Sequence, residues 1–297
     1  LSNINNKETI TTYIEPFVGG CSTMFNAIEQ FPNIEHIYVN DLNEHLINLY
    51  IIVKEKPNEL LICLDKLQSE FNDLKTTEQK QLYYLNIREQ YNKQNNIYNN
   101  ILHAAYFIFL NKTCFNGLYR ENKKGEFNVP WNKNIKAINI YNKEDILNMS
   151  NIFNKYNVQF YNESYDTFLI KMFNKFYDSD TAEYHTPDDS VFVYFDPPYR
   201  PLIKSNKSIE NMKCNIYNKD NFNDTDQINL SKLYTLYSDY GSYCMLSNSD
   251  PHNVDMSDNF FDNLYKYYNI KRILARRNIN SNGNKRGKIN ELLITNF

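Results

Sequence analysis

Three features of the sequence predict an α/β fold, with a doubly wound sheet whose chain is interrupted by a mainly helical insertion. Strand and helix patterns alternate over residues 12–53, the alternation stops over residues 54–156, and it resumes at residue 157. We therefore predict a sheet-containing domain formed by residues 1–53 and 157–297, and a separate domain formed by residues 54–156. A chain of 297 residues is long enough for both.

The first stretch predicts strand, turn, helix, strand and helix, in that order. Alternating apolar residues mark the strands, glycines mark the turn, and apolar residues at helical spacing mark the helices. The bounded elements are a strand at 12–17, a turn at Gly19-Gly20, a helix at 23–31 that Ser22 can cap, and a strand at 37–39 that ends at Asn40-Asp41. This order is typical of the opening of a doubly wound sheet.

The insertion is predicted to be mainly helical because apolar residues recur at helical spacing among many charges. A polar, glycine-containing stretch near its end favours a hairpin or an ordered loop. The predicted elements are helices at 60–71 and 82–91, a buried helix at 101–110, and a hairpin that joins 116–120 to 125–130.

The last stretch predicts four more strands, at 158–160, 191–195, 243–246 and 292–295. Residues 191–195 are apolar throughout, as expected for a central parallel strand that is buried on both faces. Residues 203–223 are polar and rich in Asn and Lys, which predicts a mobile loop beside the functional site.

Composition limits the classes of function. The net charge is −3, so a nucleic-acid-binding role receives no support from overall charge. Five scattered cysteines without CxxC spacing argue against a metal site and a disulfide framework, and they favour a cytoplasmic location. The longest apolar run, residues 104–110, is far shorter than the roughly 20 residues of a membrane span. Local basic pairs that a fold could gather on one face lie at 123–124, 271–272, 276–277 and 285–286.

The first candidate site lies at the end of the first predicted strand, in Glu15-Pro16-Phe17-Val18-Gly19-Gly20-Cys21. A glycine turn allows the backbone to approach a ligand closely, and Asp41, at the end of the next strand, can accept hydrogen bonds from ribose hydroxyls. The phosphate-binding GxGxxG pattern is absent, which suits S-adenosylmethionine because this cofactor has no phosphates. On spacing alone, a plain structural turn explains the segment equally well.

The second candidate site is Asp196-Pro197-Pro198-Tyr199, directly after the apolar strand at 191–195. Two prolines fix the chain and leave their carbonyls as acceptors. An exocyclic amine of a base is a poor nucleophile because its lone pair is delocalised, and acceptors such as Asp196 and the Pro197 carbonyl can counter this. The Tyr199 ring can stack on a base. A rigid strand-to-loop turn without chemistry is the alternative interpretation.

Together these motifs resemble the Dam-like (D12 class, α-type) family of adenine-N6 DNA methyltransferases. The resemblance covers almost the whole chain, through residues 15–21, 40–43, 111–120, 124–130, 194–199, 246–249 and 286–296. It implies a Rossmann-like catalytic domain that uses S-adenosylmethionine, with residues 54–156 as the target-recognition domain. The implied catalytic residues are Asp196, Pro197, Pro198 and Tyr199, and the implied cofactor residues are Glu15, Pro16, Phe17, Val18, Gly19, Gly20, Asp41, Ser164, Tyr165 and Asp196.

The sequence departs from the family pattern at three places. Ser164-Tyr165 stands where the family usually has Asp-Phe against the adenine of the cofactor. Cys21 replaces the second glycine of the usual Phe-x-Gly-x-Gly. The Lys-Trp-Ala-Gly-Gly-Lys-like segment with which family members usually begin has no match here.

The resemblance also implies double-stranded DNA as the partner, read by Asn116, Tyr119, Arg120, Asn122, Lys123 and Lys124. Chemistry on a base requires that adenine leave the helix. The closest branch acts on GATC in restriction–modification systems, which implies that site, a restriction endonuclease as functional counterpart, and a monomer or weak dimer. The alternative is that Lys123 and Lys124 only keep the tip of the hairpin solvated and do not contact DNA.

Two other functions stay open at this point. An RNA adenine methyltransferase is one, because the catalytic loop does not by itself choose the nucleic acid. A DNA-binding homologue with impaired catalysis is the other, because of Cys21 and the unmatched amino-terminal segment. A dinucleotide oxidoreductase is disfavoured by the missing phosphate-binding glycines.

Overall fold

The computed structural model describes residue 4 and residues 7–94, 96–134, 138–177, 190–202, 222–276 and 288–297. The predicted loop at 203–223 lies outside these residues except for its last two positions. The basic pairs at 276–277 and 285–286 lie outside them too, except for residue 276.

One sheet organises the described residues and confirms the predicted α/β, Rossmann-like fold. Its strands are β1 (Thr12–Glu15), β2 (His36–Asn40), β3 (Gln159–Tyr161), β4 (Val191–Phe195), β5 (Tyr243–Ser249), β6 (Asn269–Arg276) and β7 (Lys288–Thr295). Their order in the sheet is β3-β2-β1-β4-β5-β7-β6. β1 pairs in parallel with β2 and β4, and β4 with β5, whereas β7 lies antiparallel between β5 and β6.

Four of the described helices lie close to the helices predicted at 23–31, 60–71, 82–91 and 101–110, a fifth was predicted without bounds, and the other four had no predicted counterpart. Within the described residues the helices are α1 (Ser22–Gln30), α2 (Glu44–Glu55), α3 (Pro57–Asp73), α4 (Thr77–Asn92), α5 (Ile101–Thr113), α6 (Lys143–Lys155), α7 (Tyr165–Phe176), α8 (Asp224–Asp239) and α9 (Phe260–Leu264). Asn side chains accept backbone N–H groups at the starts of α2, α5, α6 and α8, which satisfies donors that a helix leaves unpaired there.

The core lies against the middle of the sheet. All residues of β1 and β4 are buried. The Phe192 ring of β4 packs on Tyr13 of β1 and on Phe31, with ring centroids 6.1 and 5.1 Å apart. Because β1 lies between β2 and β4, the direction of winding changes between β1 and β4. Ligands of open α/β sheets bind at such a point, outside the carboxyl ends of the strands.

The described residues fall into two compact units. One consists of residues up to Leu42 and those from Glu163 onwards, and it contains β1, β2 and β4–β7. The other is Asn43–Asn162, which contains α2–α6. Its interior is aromatic, with Phe109 of α5 packing edge to face on Phe71 of α3 at 5.5 Å. The boundaries predicted from the sequence, 53/54 and 156/157, both fall inside this second unit, and which residues carry recognition stays a prediction.

Two local features differ from the expectations. β6 has no predicted counterpart, because it is an edge strand whose apolar Ile273 and Leu274 are 44% and 68% exposed and therefore show no buried face. The start of α1 is also different. Its N-cap is Cys21, which is left-handed at φ 60° and makes no side-chain cap bond, and Ser22 is the first helical residue.

The predicted hairpin is present. Antiparallel bridges join Cys114 to Trp131 and Glu121 to Phe127. The Asn122 N–H donates to the Glu126 carbonyl at 2.9 Å, and the turn closes through the Gly125 N–H, which donates to the Asn122 carbonyl at 2.9 Å. Gly125 has a φ of 78°, a left-handed conformation that glycine adopts without steric cost.

Candidate active site

Three carboxylates meet at the carboxyl edge of the sheet, at or just after the ends of three neighbouring parallel strands. Glu15 ends β1, Asp41 follows β2, and Asp196 follows β4. Glu15 is 2% exposed, and Tyr13 Oη donates a hydrogen bond to its Oε2 at 2.9 Å. Burial raises the pKa of Glu15 well above its usual range, and the negative charges of Asp196 and Asp41 raise it further. The site is therefore electrostatically suited to a cationic ligand.

A glycine turn lies beside this cluster. The Gly19 N–H donates to Asp41 Oδ2 at 3.0 Å, and the Val18 N–H donates to the Asn40 carbonyl at 2.8 Å. Gly19 has a φ of 44°, and a Cβ placed there would meet no atom within 4 Å. The backbone at Gly19 is thus held by Asp41 on one side and open on another, as close contact with a ligand requires.

An aromatic cluster flanks the turn. The Phe17 ring stacks on Tyr165, with centroids 5.5 Å apart, and meets Phe222 edge to face at 5.7 Å. Tyr165 and Phe222 also lie 5.3 Å apart. The structure thus brings together Phe17 and Tyr165, both predicted site residues, and adds Phe222, which lies in the segment predicted beside the site but was not itself predicted as a site residue.

Asn40 connects the two predicted cofactor segments. Its Nδ2 donates to the carbonyls of Pro16 and Glu163, both at 3.0 Å, and its Oδ1 accepts the Glu163 N–H at 2.9 Å. Asn40 is 1% exposed, so these bonds form in a water-poor environment. They fix the chain before Ser164 and Tyr165 against the segment after β1.

Ser164 is engaged by its own helix. Its Oγ donates to Asp166 Oδ1 at 2.5 Å and lies 2.8 Å from Thr167 Oγ1. Its hydroxyl therefore serves the first turn of α7 in this structure, and contact with a cofactor amino group would require it to rotate.

Asp196 is held by the next strand. Ser247 Oγ of β5 donates to Asp196 Oδ1 at 2.6 Å, and Ser247 Oγ also lies 3.0 Å from Tyr194 Oη. Burial raises the pKa of Asp196, and the side chains of Ser247 and Tyr199 lower it. Asp196 is therefore an oriented carboxylate with enhanced basicity, at the same edge of the sheet as Glu15 and the glycine turn.

The two prolines are placed differently. Pro197 is buried, whereas Pro198 and Tyr199 are exposed, Tyr199 to 37%. The Pro198 carbonyl accepts a hydrogen bond from Gln227 Nε2 at 3.1 Å. The loop is therefore rigid while the Tyr199 ring stays accessible for stacking.

Arg200 anchors the exit of the loop. Its Nε and Nη2 donate to the two carboxylate oxygens of Asp224 at 2.8 and 3.1 Å, and its Nη1 donates to Asp258 at 2.6 Å. The guanidinium lies 4.4 Å from the centroid of Phe260. The Arg200 N–H donates to Asn248 Oδ1 at 3.0 Å, so backbone and side chain are both fixed.

Sequence patterns missed Ser247 and Arg200, although one signal was available. Arg200 directly follows the catalytic segment, and Ser247 lies in a segment, 246–249, that carries part of the family resemblance. The sequence does not show which residue each of them contacts. Ser247 reaches Asp196 through the pairing of Phe195 with Leu246 across β4 and β5, and Arg200 reaches Asp258 from a distant part of the sequence.

The predicted DNA-reading residues lie along the hairpin of the Asn43–Asn162 unit. Asn116 is left-handed at φ 56° in the 3₁₀ turn Phe115–Gly117. Arg120 Nε donates to Asn128 Oδ1 across the hairpin at 2.7 Å. Asn122 Oδ1 accepts the N–H groups of Lys124 and Glu126 at 2.8 and 3.1 Å, so this amide shapes the turn. The remaining members, Tyr119, Lys123 and Lys124, are exposed.

Of the helices that the structure describes, none combines the length and the apolar composition needed to cross a membrane.

Comparison with known proteins gives a consistent result. Residues 1–279 match the family described as D12 class N6 adenine-specific DNA methyltransferase. The chain is 38% identical to the Type II methyltransferase M.MjaIII of Methanocaldococcus jannaschii, over 97% of this chain and 89% of that protein. It is 30% identical to the Type II methyltransferase M1.LlaDCHI of Lactococcus lactis subsp. cremoris, over 98% and 88%. It is 27% identical to the DNA adenine methylase of Escherichia coli K12, over 94% and 84%.

Proposed function

This chain belongs to the D12 class of N6 adenine-specific DNA methyltransferases, and we propose that it moves the methyl group of S-adenosylmethionine to N6 of an adenine turned out of duplex DNA. The match confirms the family resemblance of the sequence and the adenine-specific DNA methyltransferase activity. The donor, the turned-out base, the recognition sequence and the residue roles are the proposal. The observation that carries it is geometric: Glu15, Asp41 and Asp196 lie at or just after the ends of three neighbouring strands, and the Gly19 N–H of the glycine turn donates to Asp41 Oδ2 at 3.0 Å.

The residues at β1 and β2 fit the proposed donor. S-adenosylmethionine supplies a methyl group on a positively charged sulfur, and it also carries an ammonium group. Asp41 and Asp196 would present negative charge to such a ligand, and a cation beside the buried Glu15 would favour its ionised form. The open backbone at Gly19 would admit the cofactor, and Phe17 with Tyr165 would hold its adenine. Asp41 would bind the ribose.

Asp196 and its loop support the proposed chemistry at N6. As the new N–C bond forms, the S–C bond would break and its electron pair would stay on the sulfur of S-adenosylhomocysteine. The positively charged N6 would then give one proton to Asp196, which would pass it to water. The Asp196 carboxylate and the Pro197 carbonyl would accept hydrogen bonds from the two N6 protons and stabilise positive charge on that nitrogen. The exposed Tyr199 ring would stack on the base, a contact worth about 1–3 kcal/mol.

The hairpin supports duplex DNA as the substrate. Lys123 and Lys124 are exposed near its tip, where cations would contact phosphates. Arg120 would contact a base edge or a phosphate if it leaves Asn128. We propose GATC as the recognition sequence and residues 54–156 as the recognition domain. Because relatives are named Type II methyltransferases, a restriction endonuclease of the same specificity is the proposed counterpart.

A methyl-transfer assay with matched acceptors tests this proposal. The protein is incubated with methyl-labelled S-adenosylmethionine and one of three acceptors: a duplex with GATC, the same duplex with GTAC, and a structured RNA. Digestion to nucleosides then identifies the labelled base. We expect label in N6-methyladenine from the GATC duplex and at least about tenfold less from the GTAC duplex, because GTAC changes two base pairs and each costs about 1–3 kcal/mol. The structured RNA should also accept less label than the GATC duplex.

Each other outcome removes a particular part of the proposal. Equal transfer to both duplexes would exclude GATC as the site. Preferred transfer to RNA would favour the RNA methyltransferase alternative. Binding of the GATC duplex without any transfer would favour the catalytically impaired homologue.

A further inference from the structure

A chain of polar side chains runs through the interior of the Asn43–Asn162 unit towards the hairpin. His103 of α5 is 0% exposed, and its Nδ1 lies 3.1 Å from Gln94 Oε1. Its Nε2 lies 2.8 Å from Nδ1 of His45 on α2. His45 Nε2 lies 3.6 Å from Glu121 Oε1 on the hairpin. Nothing in the proposed methyl transfer uses these residues.

The hydrogen bonds determine which ring nitrogens of His103 and His45 carry protons. Asn100 Oδ1 accepts the backbone N–H of His103 at 2.9 Å, so Asn100 Nδ2 is the group that donates to Gln94 Oε1 at 3.0 Å. Gln94 Oε1 is therefore an acceptor, and His103 Nδ1 must carry the proton opposite it. Burial lowers the pKa of His103 to about 3, so its ring is neutral and its Nε2 is an acceptor. His45 Nδ1 must then be the donor in the His45–His103 bond.

The protonation state of His45 Nε2, the ring nitrogen that faces Glu121, determines how these two side chains interact. With Nδ1 protonated, a neutral His45 turns the lone pair of Nε2 towards the Glu121 carboxylate, which is repulsive. A second proton on Nε2 replaces that repulsion with an ion pair to Glu121. Glu121 also accepts a hydrogen bond from Tyr119 Oη at 2.5 Å. Protonation of His45 thus links α2 to a predicted DNA-reading residue through one carboxylate.

Two tyrosines near His45 do not compete for this proton. Tyr91 of α4 packs on the His45 ring with centroids 5.2 Å apart, and burial raises its pKa far above neutral. Burial likewise raises the pKa of Tyr119. On its own helix His45 is adjacent to the exposed Glu44, whose negative charge favours a protonated neighbour.

We propose that His45 is a positioning residue for DNA recognition, and that its protonated form pairs with Glu121 and holds the hairpin in the geometry that binds DNA. This inference rests on the proposed role of the hairpin in reading DNA. It predicts that DNA affinity falls roughly threefold to tenfold as pH rises and His45 loses its second proton. Cofactor binding does not change with that proton, because Glu15, Asp41 and Asp196 do not belong to the polar chain.

Two measurements on the full chain test the proposal together. NMR of labelled histidines follows the titration of His45 in the DNA-free protein, in the wild type and in Glu121→Gln. Fluorescence anisotropy gives the Kd for a duplex from about pH 5.5 to about pH 8.5 in the wild type, His45→Gln and His252→Gln. His252 is the matched control, because its ring nitrogen lies 3.9 Å from Asp262 and its side chain is 17% exposed, against 14% for His45.

We expect Glu121→Gln to lower the titration midpoint of His45, and the wild-type Kd to rise through the wild-type midpoint. His45→Gln should give a flat profile in that range, and His252→Gln should keep the wild-type profile. A midpoint that ignores Glu121→Gln overturns the pairing. A midpoint that responds while Kd stays constant with pH overturns this inference, because the His45–Glu121 pair then forms without affecting DNA binding. Methyl transfer would continue in that case, which separates this failure from failure of the proposed chemistry at Asp196.

Discussion

Replacing Ser247 by alanine tests whether an oriented carboxylate drives methyl transfer. The Ser247 hydroxyl lies 2.6 Å from Asp196 Oδ1, and alanine removes this donor without changing the backbone. The carboxylate would stay at the end of β4 but lose the Ser247 hydrogen bond that orients it.

The size of the effect follows from the type of bond. A hydrogen bond to a charged group contributes about 1.5–3 kcal/mol, and about 1.4 kcal/mol corresponds to a tenfold change in rate. Because Asp196 is only half-buried and water can replace part of the lost bond, we expect the lower part of this range, which is a fall in kcat of roughly 10–30-fold. The KM for cofactor should change much less, since Asp196 is only one of the proposed cofactor residues and Ser247 is none of them.

The pH profile gives a second readout. The Ser247 hydrogen bond lowers the pKa of Asp196, so its loss raises that pKa. A raised pKa means less carboxylate at a given acidic pH, and the acidic limb of kcat should move to higher pH. A merely structural role of Ser247 would not move this limb.

Single-turnover methyl transfer at a series of pH values measures both effects. Ser231→Ala is the matched control, because Ser231 is also buried in the same unit, while its hydroxyl donates to the Ile228 carbonyl at 2.7 Å. The control should keep its kcat within about threefold. A Ser247→Ala variant with wild-type kcat and an unmoved acidic limb would refute the role assigned to this bond.

Three further substitutions have distinct expected outcomes. Glu15→Gln should raise the free energy of unfolding relative to the wild type. Burial raises the pKa of Glu15, so its ionised form destabilises the fold, and the difference between the two proteins should grow as pH rises above the ordinary carboxyl pKa of 4.5. Denaturant titrations at acidic and neutral pH measure this difference in free energy of unfolding, and a difference that is constant with pH would contradict the prediction. Calorimetry should show weaker cofactor binding by the same variant. Arg200→Gln should lower both stability, by about 1–2 kcal/mol, and kcat, since it frees the exit of the catalytic loop. Arg272→Gln is the control: it breaks a similar pair of bonds, to Asp250 and Asp262, and should lower stability without lowering kcat. Equal kcat values for Arg200→Gln and Arg272→Gln would exclude a positioning role for Arg200. Lys123→Ala with Lys124→Ala should weaken DNA binding and reduce the slope of log K against log salt by about 2, with cofactor affinity unchanged; an unaltered slope would show that these lysines do not contact phosphate.

Strands buried on both faces were the most predictable part of the fold. Residues 191–195 were predicted as a central strand, and β4 has those bounds, because a continuous apolar run has few alternatives in a water-soluble sheet. The approach of Asp41 to Gly19 was also foreseeable, since the ends of parallel strands meet at one edge. The edge strand β6 was not, because exposure on both faces removes the periodic signal.

Contacts within the site depend on register and on distant partners, which local patterns do not encode. Ser247 reaches Asp196 only because Phe195 pairs with Leu246. Arg200 finds Asp258 across 58 residues of sequence. Asn122 was predicted to read DNA, and a sequence pattern could not show that its amide is engaged in the hairpin turn.

Methyl transfer by Asp196→Asn, with cofactor affinity measured on the same preparation, tests the proposed chemistry most directly. Asparagine keeps the size of the side chain, and removes the negative charge that would stabilise the methylated amine. We expect S-adenosylmethionine to bind within about tenfold of the wild type while single-turnover transfer to a GATC duplex falls by at least about a hundredfold. Transfer at the wild-type rate by this variant would show that the carboxylate at the end of β4 is not the group that activates adenine N6.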